Sequence, residues 1–193
     1  MSDGERVTRW TGSGQFTLLS RILHWTMAAM ILTMLFIGVA MVASLADYDK
    51  LVSIHRPLGI AILILVVIRY VNRKVNPPPE FIATMPAEER FAATTSEKMM
   101  YAMMFAMPLI GWGMLSAARY PIVLYGPIHL PPILPHSPML YAFLRSTHTI
   151  VAYLFFATFV AHFSAVLFHT VIMRDHLIDR MVPWKVGRPK IGN

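Results

Sequence analysis

The stretch STHTIVAYLFFATFVAHFSAVLFHTVIM, residues 146–173, decides the fold. It contains no Asp, Glu, Lys or Arg, and it is longer than the roughly 20 apolar residues that an α-helix needs to cross a bilayer. His148 and His162 lie 14 residues apart within it. That spacing is close to four helical turns, so both rings are predicted on one side of a helix, about 21 Å apart along its axis. Because ionisable side chains are costly inside a bilayer, these histidines are candidates for a functional site.

The amino-acid composition indicates a membrane protein. Of the 193 residues, 56% are hydrophobic and 14% are charged, whereas soluble domains carry about 25% charged residues. The chain has no cysteine, which excludes disulfides, thiolate catalysis, iron–sulfur clusters and haem that is ligated by or attached to cysteine. Any haem must therefore be non-covalent and held by His or Met.

Four apolar segments predict four membrane-spanning helices, at about residues 17–46, 51–72, 97–118 and 140–173. We expect a single domain, residues 1–193, built as an all-α four-helix bundle in the membrane. No cleavable signal peptide is expected, because polar residues precede a first apolar segment that is too long for a signal core. The third connection, residues 119–138, is apolar and rich in proline, and we expect it to lie over the bundle or in the membrane interface.

The basic residues predict how the helices are oriented. The N-terminus, the second connection and the tail hold 13 of the 17 Lys and Arg residues, and cytoplasmic segments are enriched in these residues. Both termini of this multi-pass protein are therefore predicted in the cytoplasm. The +7 net charge reflects this bias and favours lipid headgroups rather than nucleic acid as the partner. The cytoplasmic group comprises Arg6, Arg9, Arg21, Arg69, Arg73, Lys74, Arg90, Lys98, Arg174, Arg180, Lys185, Arg188 and Lys190, and the opposite side holds Lys50, Arg56, Arg119 and Arg145.

Two more histidines, His24 and His55, lie near the ends of two other apolar segments. His55 and His148 share a depth near the outer end, so they can bind one haem iron from opposite faces.

The partner of His24, near the cytoplasmic end, must be His162 or His169. Depth slightly favours His169, but that choice would separate the two ligands on the last helix by about 31 Å, a poor distance for electron transfer between haems. We therefore expect two non-covalent haems, with His24 and His162 holding the second, and we keep His169 as a residue beside that haem or in a quinone site. Interfacial or hydrogen-bonded histidines are the alternative, which suits one isolated histidine better than a set of four.

Two arginines lie beside the predicted outer ligands. Arg56 follows His55 directly, and Arg145 precedes His148 by three residues. Either cation can pair with haem propionates or attract an anionic substrate to the outer face. Snorkelling of both side chains to the membrane interface is the alternative. Gly59, one turn after His55, lets a haem ring approach the backbone.

Short motifs around these histidines and in the connections occur together over about residues 17–184. They are residues 20–25 (SRILHW), 54–59 (IHRPLG), 107–112 (MPLIGW), 125–126 (YG), 130–132 (LPP), 144–148 (LRSTH), His162, His169, 174–175 (RD) and 180–183 (RMVP). On these motifs the chain resembles the bacterial cytochrome b561 family, four-helix di-haem membrane proteins related to the cytochrome b subunits of hydrogenase and formate dehydrogenase. The resemblance implies the same iron ligands, with His24 paired to His162 and His55 to His148.

The resemblance implies a multi-pass oxidoreductase of the bacterial inner membrane that moves single electrons between a periplasmic-side donor and the ubiquinone pool. At least one family member is a superoxide oxidase that passes electrons to ubiquinone, and superoxide is an anion that Arg145 and Arg56 would attract. Haem with two histidine ligands has no free iron position, so the chemistry would be outer-sphere electron transfer. One departure concerns Glu97, which stands where family members often have a histidine, and a quinone or proton role for that position is in doubt.

Two other functions compete with this one. The first is a non-catalytic electron relay that serves a separate dehydrogenase or a periplasmic redox protein, and an adjacent gene for such a partner would favour it. The second is a haem-free helical bundle that acts as a transporter or scaffold, which an absorption spectrum of the purified protein would distinguish.

Overall fold

A computed structural model describes residues 14–81, 85–175 and 177–184. The helices of this part are α1 (Leu18–Ala43), α2 (Tyr48–Val75), α3 (Ala87–Ala117) and α4 (Pro138–Leu167), followed by a π-helical turn (Phe168–Met173) and a 3-10 helix (Leu177–Arg180). All four α-helices are long and apolar enough to cross a membrane, which confirms the predicted four-helix membrane fold. The orientation of the termini stays a prediction, and five of the basic residues behind it, Arg6, Arg9, Lys185, Arg188 and Lys190, lie outside the described residues.

Local sequence signals explain where the helices begin. Thr17 caps α1, its side chain accepting a hydrogen bond from the backbone N–H of Ser20 at 3.3 Å. Ser137 caps α4 in the same way, and Pro138 occupies the first turn, where a missing N–H costs nothing. The third helix begins after Pro86 and so includes the polar stretch before residue 97. Two glutamates in its first turn favour this start, because negative charge stabilises a helix N-terminus.

The four helices meet in an apolar centre. Its buried members are Met27, Ile31, Ile62, Val66, Met103, Met104 and Phe155, and they come from all four helices. Close backbone contacts join α1 to α2, α2 to α3, and α3 to α4, whereas α4 makes hardly any with α1 or α2. Large side chains such as Phe36 and Val42 are 69% and 85% exposed, as expected where the neighbour is lipid rather than water. The bundle therefore has a gap along α4 on the side of the first two helices.

The third connection contains a small hairpin that the all-α prediction missed. Strands β1 (Ile122–Tyr125) and β2 (Ile128–Leu130) pair antiparallel. Gly126 lies between them with φ of 52°, a conformation that glycine adopts without strain. The segment packs on the end of α3, where Trp112 Nε1 donates to the carbonyl of Pro131 at 2.9 Å. The many prolines obscured a strand pattern of only a few residues.

Residues 177–184, which we call the terminal strap, close the opposite end of the bundle. The backbone N–H of Phe16 donates to the carbonyl of Arg180 at 3.0 Å. Arg21, only 6% exposed, donates to the carbonyls of Val182 at 2.9 Å and Trp184 at 3.1 Å. The start of α1 and the segment after α4 therefore lie at one end of the bundle, the terminal end, and the hairpin lies at the other, the hairpin end.

Candidate functional site

His55 and His148 face each other near the hairpin end. Their ring centroids are 6.2 Å apart and the ring planes meet at 62°. The Nδ1 atom of each ring is buried and has no hydrogen-bond partner, which is unusual, because buried polar atoms are nearly always bonded. Two imidazoles on opposite sides of one metal atom, each with a bond of about 2 Å, would have centroids roughly 6 Å apart. The pair therefore has a spacing at which both rings could bind one metal atom.

Two glycines leave room beside this pair. A Cβ atom added to Gly111 on α3 would lie 3.5 Å from Cε1 of His148, so the α3 backbone approaches that ring closely. Gly38 follows His24 on α1 at the same spacing at which His162 follows His148, which puts it on the same face at the level of the hairpin-end pair. A Cβ atom added there would meet nothing within 4 Å. The α1 backbone at Gly38 therefore borders open space at this level.

His24 and His162 are neighbours near the terminal end. The two rings lie close enough to interact electrostatically, and Arg69 of α2 acts on both. Arg69 Nη2 lies 2.9 Å from Nδ1 of His24, and its Nε donates to the hydroxyl of Tyr101 at 3.0 Å. If Nε2 of His24 binds a metal, Nδ1 carries the ring proton, and Arg69 then acts on the ring as a nearby charge rather than as a hydrogen-bond donor. The structure therefore brings together both histidine pairs that the sequence predicts.

An apolar layer separates the two pairs. Phe155 stands midway between His148 and His162 on α4, is 7% exposed, and packs in the central cluster. The cluster includes Met27 of α1 and Val66 of α2, which are almost fully buried. The space between the pairs is therefore lined by apolar side chains and is a medium of low polarity.

The arginines predicted near the hairpin-end pair differ in exposure. Arg56 is half-buried, its Nη1 donates to the carbonyl of Pro121 at 3.5 Å, and its Nε is buried without a partner. Arg145 is exposed, and its Nη1 donates to the hydroxyl of Tyr141 at 3.2 Å. The geometry suits Arg56 for an inward anionic group and Arg145 for contact with the aqueous side.

His169 is engaged with a carboxylate rather than with His24. It lies in the π-helical turn after α4, and its Nδ1 is 2.5 Å from Oδ2 of Asp175. The chain returns at Arg174, whose φ of 52° is left-handed, and this return brings Asp175 back onto the histidine. Single π-turns are frequent at functional sites, and this one holds a histidine–carboxylate pair at the terminal end.

Glu97 pairs with a basic residue at the terminal end. Its carboxylate lies 2.5 Å from Nη1 of Arg73, and Nη2 of the same guanidinium donates to it at 2.7 Å. Both side chains are about one-third exposed. The position therefore carries an ion pair between α2 and α3.

Sequence analysis missed Arg69 and treated it only as a marker of orientation. A signal was present, because Arg69 follows His55 at the same spacing that relates His162 to His148. Residues at that spacing share a helix face, so Arg69 was placed to meet the second pair of histidines. Tyr101 and Phe155 had no comparable signal, since aromatic residues are common throughout these helices.

Comparison with known proteins decides the family. The family model described as prokaryotic cytochrome b561 matches residues 15–184. The chain belongs to this cytochrome b561 family. It is 27% identical over 172 residues to cytochrome b561 homolog 2 of Escherichia coli (strain K12), covering 87% of this chain and 91% of that protein. It is 24% identical over 178 residues to cytochrome b561 homolog 1 of the same organism, covering 88% and 97% respectively.

Membership in the cytochrome b561 family makes the chain a membrane b-type cytochrome that takes part in electron transfer. The donor set fits haem better than a bare metal ion. No group of three or more His, Asp or Glu residues in the described part of the chain could hold a metal ion. Haem iron already has four porphyrin nitrogens and needs only two protein ligands, which each histidine pair can supply.

Proposed function

We propose that this cytochrome b561 holds two non-covalent b haems and moves electrons across the membrane from a periplasmic-side donor to the quinone pool. His55 and His148 would bind one haem, and His24 and His162 the other. The observation that carries the proposal is the facing pair His55–His148, with centroids 6.2 Å apart and a buried, unpartnered Nδ1 on each ring. Haem b with two histidine ligands supplies reversible one-electron transfer without a free iron position.

The protein residues have three tasks in this proposal. The histidine pairs fix the two cofactors at two depths on one face of α4. The layer around Phe155 excludes water between them and keeps the packing rigid. Polar groups at the two ends then receive the reactants, and these groups differ in kind.

At the hairpin end the polar groups are mostly cationic. Arg145 is exposed, and a nearby cleft is lined by Arg119, His129 and His136, among others. The cleft also includes Pro121, whose carbonyl accepts from Arg56. We place this end in the periplasm, following the positive-inside prediction. A small anionic donor such as superoxide would be concentrated here by the local positive potential.

At the terminal end, polar groups could transfer protons and bind a neutral electron acceptor. The pair His169–Asp175 combines a base and a carboxylate at 2.5 Å. A polar cleft near His24 is lined by Ser20, Asn72 and Tyr101, among others. We place quinone reduction at this end. Two superoxide anions each lose one electron and become dioxygen, and one quinone gains two electrons and two protons and becomes quinol.

Stopped-flow absorbance of the purified protein tests the function. We expect superoxide to reduce the haem within the mixing experiment, and we expect added ubiquinone to return it to the oxidised form. The pyridine haemochrome assay of the same sample should give two haems per chain. Haem that dithionite reduces but superoxide does not would reject the superoxide reaction and leave an electron relay. A preparation without haem after expression with ample haem supply would reject the whole proposal.

A further inference from the structure

Arg69 is a charged residue in direct contact with a predicted haem ligand. Its guanidinium is half-buried in α2 and lies 2.9 Å from Nδ1 of His24. It acts electrostatically on both His24 and His162. The side chain is held from two directions by Tyr101, whose hydroxyl accepts from Nε at 3.0 Å and whose ring lies 5.6 Å below the guanidinium carbon.

Arg69 has a carboxylate in its surroundings but does not form an ion pair with it. Arg69 acts electrostatically on Glu97, but this carboxylate forms its ion pair with Arg73, one turn further along α2. Within the described residues no ion pair of Arg69 with Asp or Glu occurs at up to 4.0 Å. A cation that is partly buried and unpaired acts over a longer range than one in water, because the local dielectric is lower.

The two histidine pairs are therefore electrostatically unequal. At the hairpin end, Arg56 acts on His55 alone and donates to a backbone carbonyl rather than to a ring. The Nδ1 atoms of that pair have no hydrogen-bond partner. At the terminal end, Arg69 contacts one ring directly and influences the other. Of the two predicted haem sites, the one at the terminal end has a guanidinium nitrogen 2.9 Å from a ring nitrogen of a predicted ligand.

We propose that Arg69 is a positioning residue that sets the direction of electron flow by raising the reduction potential of the terminal-end haem. This inference rests on the proposed function, since it needs a haem between His24 and His162. Reduction adds a negative charge, and a nearby fixed cation stabilises that added charge. The haem at the hairpin end then has the lower potential, and an electron that enters from the outer side moves downhill towards the terminal end.

The test is an equilibrium redox titration of the purified two-haem protein. Arg69→Gln keeps a polar side chain at this position but removes the charge. We expect the equilibrium between reduced and oxidised terminal-end haem to shift at least tenfold towards the oxidised form. This corresponds to a fall of about 59 mV in the reduction potential of a one-electron couple. Arg69→Lys keeps the charge, so the potential of its terminal-end haem should stay close to that of the parent protein. Lys74→Gln is the matched control, because this exposed cation on the same helix lies over the Tyr70 ring and contacts no histidine.

The two haem transitions are assigned by comparison with His148→Ala, which should retain only the terminal-end haem. A potential in Arg69→Gln that is unchanged, or that is higher than in the parent protein, would overturn the inference while leaving two-haem binding intact. If Arg69→Gln fails to retain the haem, Tyr101→Phe replaces it. That variant frees Nε of Arg69 from its acceptor, and we expect a smaller fall of the same potential. No fall in Tyr101→Phe would equally overturn the inference, whereas absence of haem from the parent protein would instead reject the proposed function.

Discussion

The rings of His55 and His148 face each other across the gap between α2 and α4, with centroids 6.2 Å apart. The two residues are far apart in sequence and come from helices that make hardly any close backbone contact. Direct packing of the helices therefore does not hold the rings together. The haem iron proposed above, bound between the two rings, would account for this spacing.

Removal of one histidine from a pair should remove one haem, because neither partner alone provides both axial bonds. We expect His55→Ala and His148→Ala to lose the same haem, and His24→Ala and His162→Ala to lose the other, each variant keeping one haem per chain. The pyridine haemochrome assay and the reduced-minus-oxidised spectrum measure the losses. His169→Ala serves as the control and should keep two haems. If His169→Ala instead resembles His24→Ala, the pairing at the terminal end is wrong.

Bulk at Gly111 should displace the ring of His148. A Cβ atom at this position already reaches 3.5 Å from Cε1 of His148, which is ordinary van der Waals contact, so Gly111→Ala should keep both haems. The larger side chain of Gly111→Leu has no space and should abolish binding at the hairpin-end site. Haem quantitation measures the loss. Ala102→Leu adds similar bulk at an exposed position of α3 and should retain two haems, and equal haem loss in both leucine variants would contradict the steric argument.

The helices and the histidine pairs could be predicted from the sequence because both follow simple periods. The length of an uncharged apolar segment predicts the length of the membrane-spanning helix. A spacing close to a whole number of helical turns places two residues on one helix face. The polar start of α3 was harder, since Glu88 and Glu89 have no apolar periodicity and belong to a helix only through their place after Pro86. These residues stabilise the start of α3 by local interactions rather than by burial in the membrane.

Contacts that depend on where the chain turns back could not be predicted. Asp175 reaches His169 because Arg174 adopts a left-handed conformation, and nothing in the residue type of Arg174 specifies that turn. The same holds for the terminal strap, where Arg21 donates to backbone carbonyls. Every residue has a backbone carbonyl, so the sequence does not indicate which carbonyls accept from Arg21.

The central layer should depend on Phe155. Its side chain is 7% exposed and fills the space between the two histidine levels. Phe155→Ala leaves a cavity there, and we expect a loss of roughly 3 kcal/mol in the free energy of unfolding. Unfolding in mixed micelles with increasing SDS measures this change. Phe156→Ala is the matched control, because that neighbour is 50% exposed and should lose much less, and similar losses in the two variants would show that Phe155 does not fill a packed centre.

The terminal strap should loosen when Arg21 loses its charge. Arg21 is 6% exposed and donates to two carbonyls of the strap, and a hydrogen bond from a charged group contributes about 1.5 to 3 kcal/mol. In Arg21→Gln we expect faster hydrogen–deuterium exchange of the amides in residues 177–184, measured by mass spectrometry. Trp25→Phe removes one bond, from Nε1 to the carbonyl of Met181 at 2.8 Å, and should have a smaller effect. Unchanged exchange in Arg21→Gln would mean that other contacts hold the strap.

Arg145 should speed the encounter with an anionic donor. It is exposed at the hairpin end and held only by the Tyr141 hydroxyl among the contacts that the structure describes for its side chain. Steering by a surface charge acts on the association rate and weakens as salt screens the field. In Arg145→Gln we expect superoxide-driven haem reduction to slow by roughly two- to fivefold at low salt, with haem content unchanged.

The salt dependence separates steering from a structural role of Arg145. Added salt should slow the parent protein more than Arg145→Gln, until the two rates converge at high ionic strength. Lys74→Gln is the matched control, since it removes the same net charge from an exposed position at the opposite end of the bundle and should keep the parent rate. Equal rates and equal salt slopes in the parent and Arg145→Gln would reject steering. Loss of the hairpin-end haem in Arg145→Gln would show instead that the guanidinium holds a haem propionate.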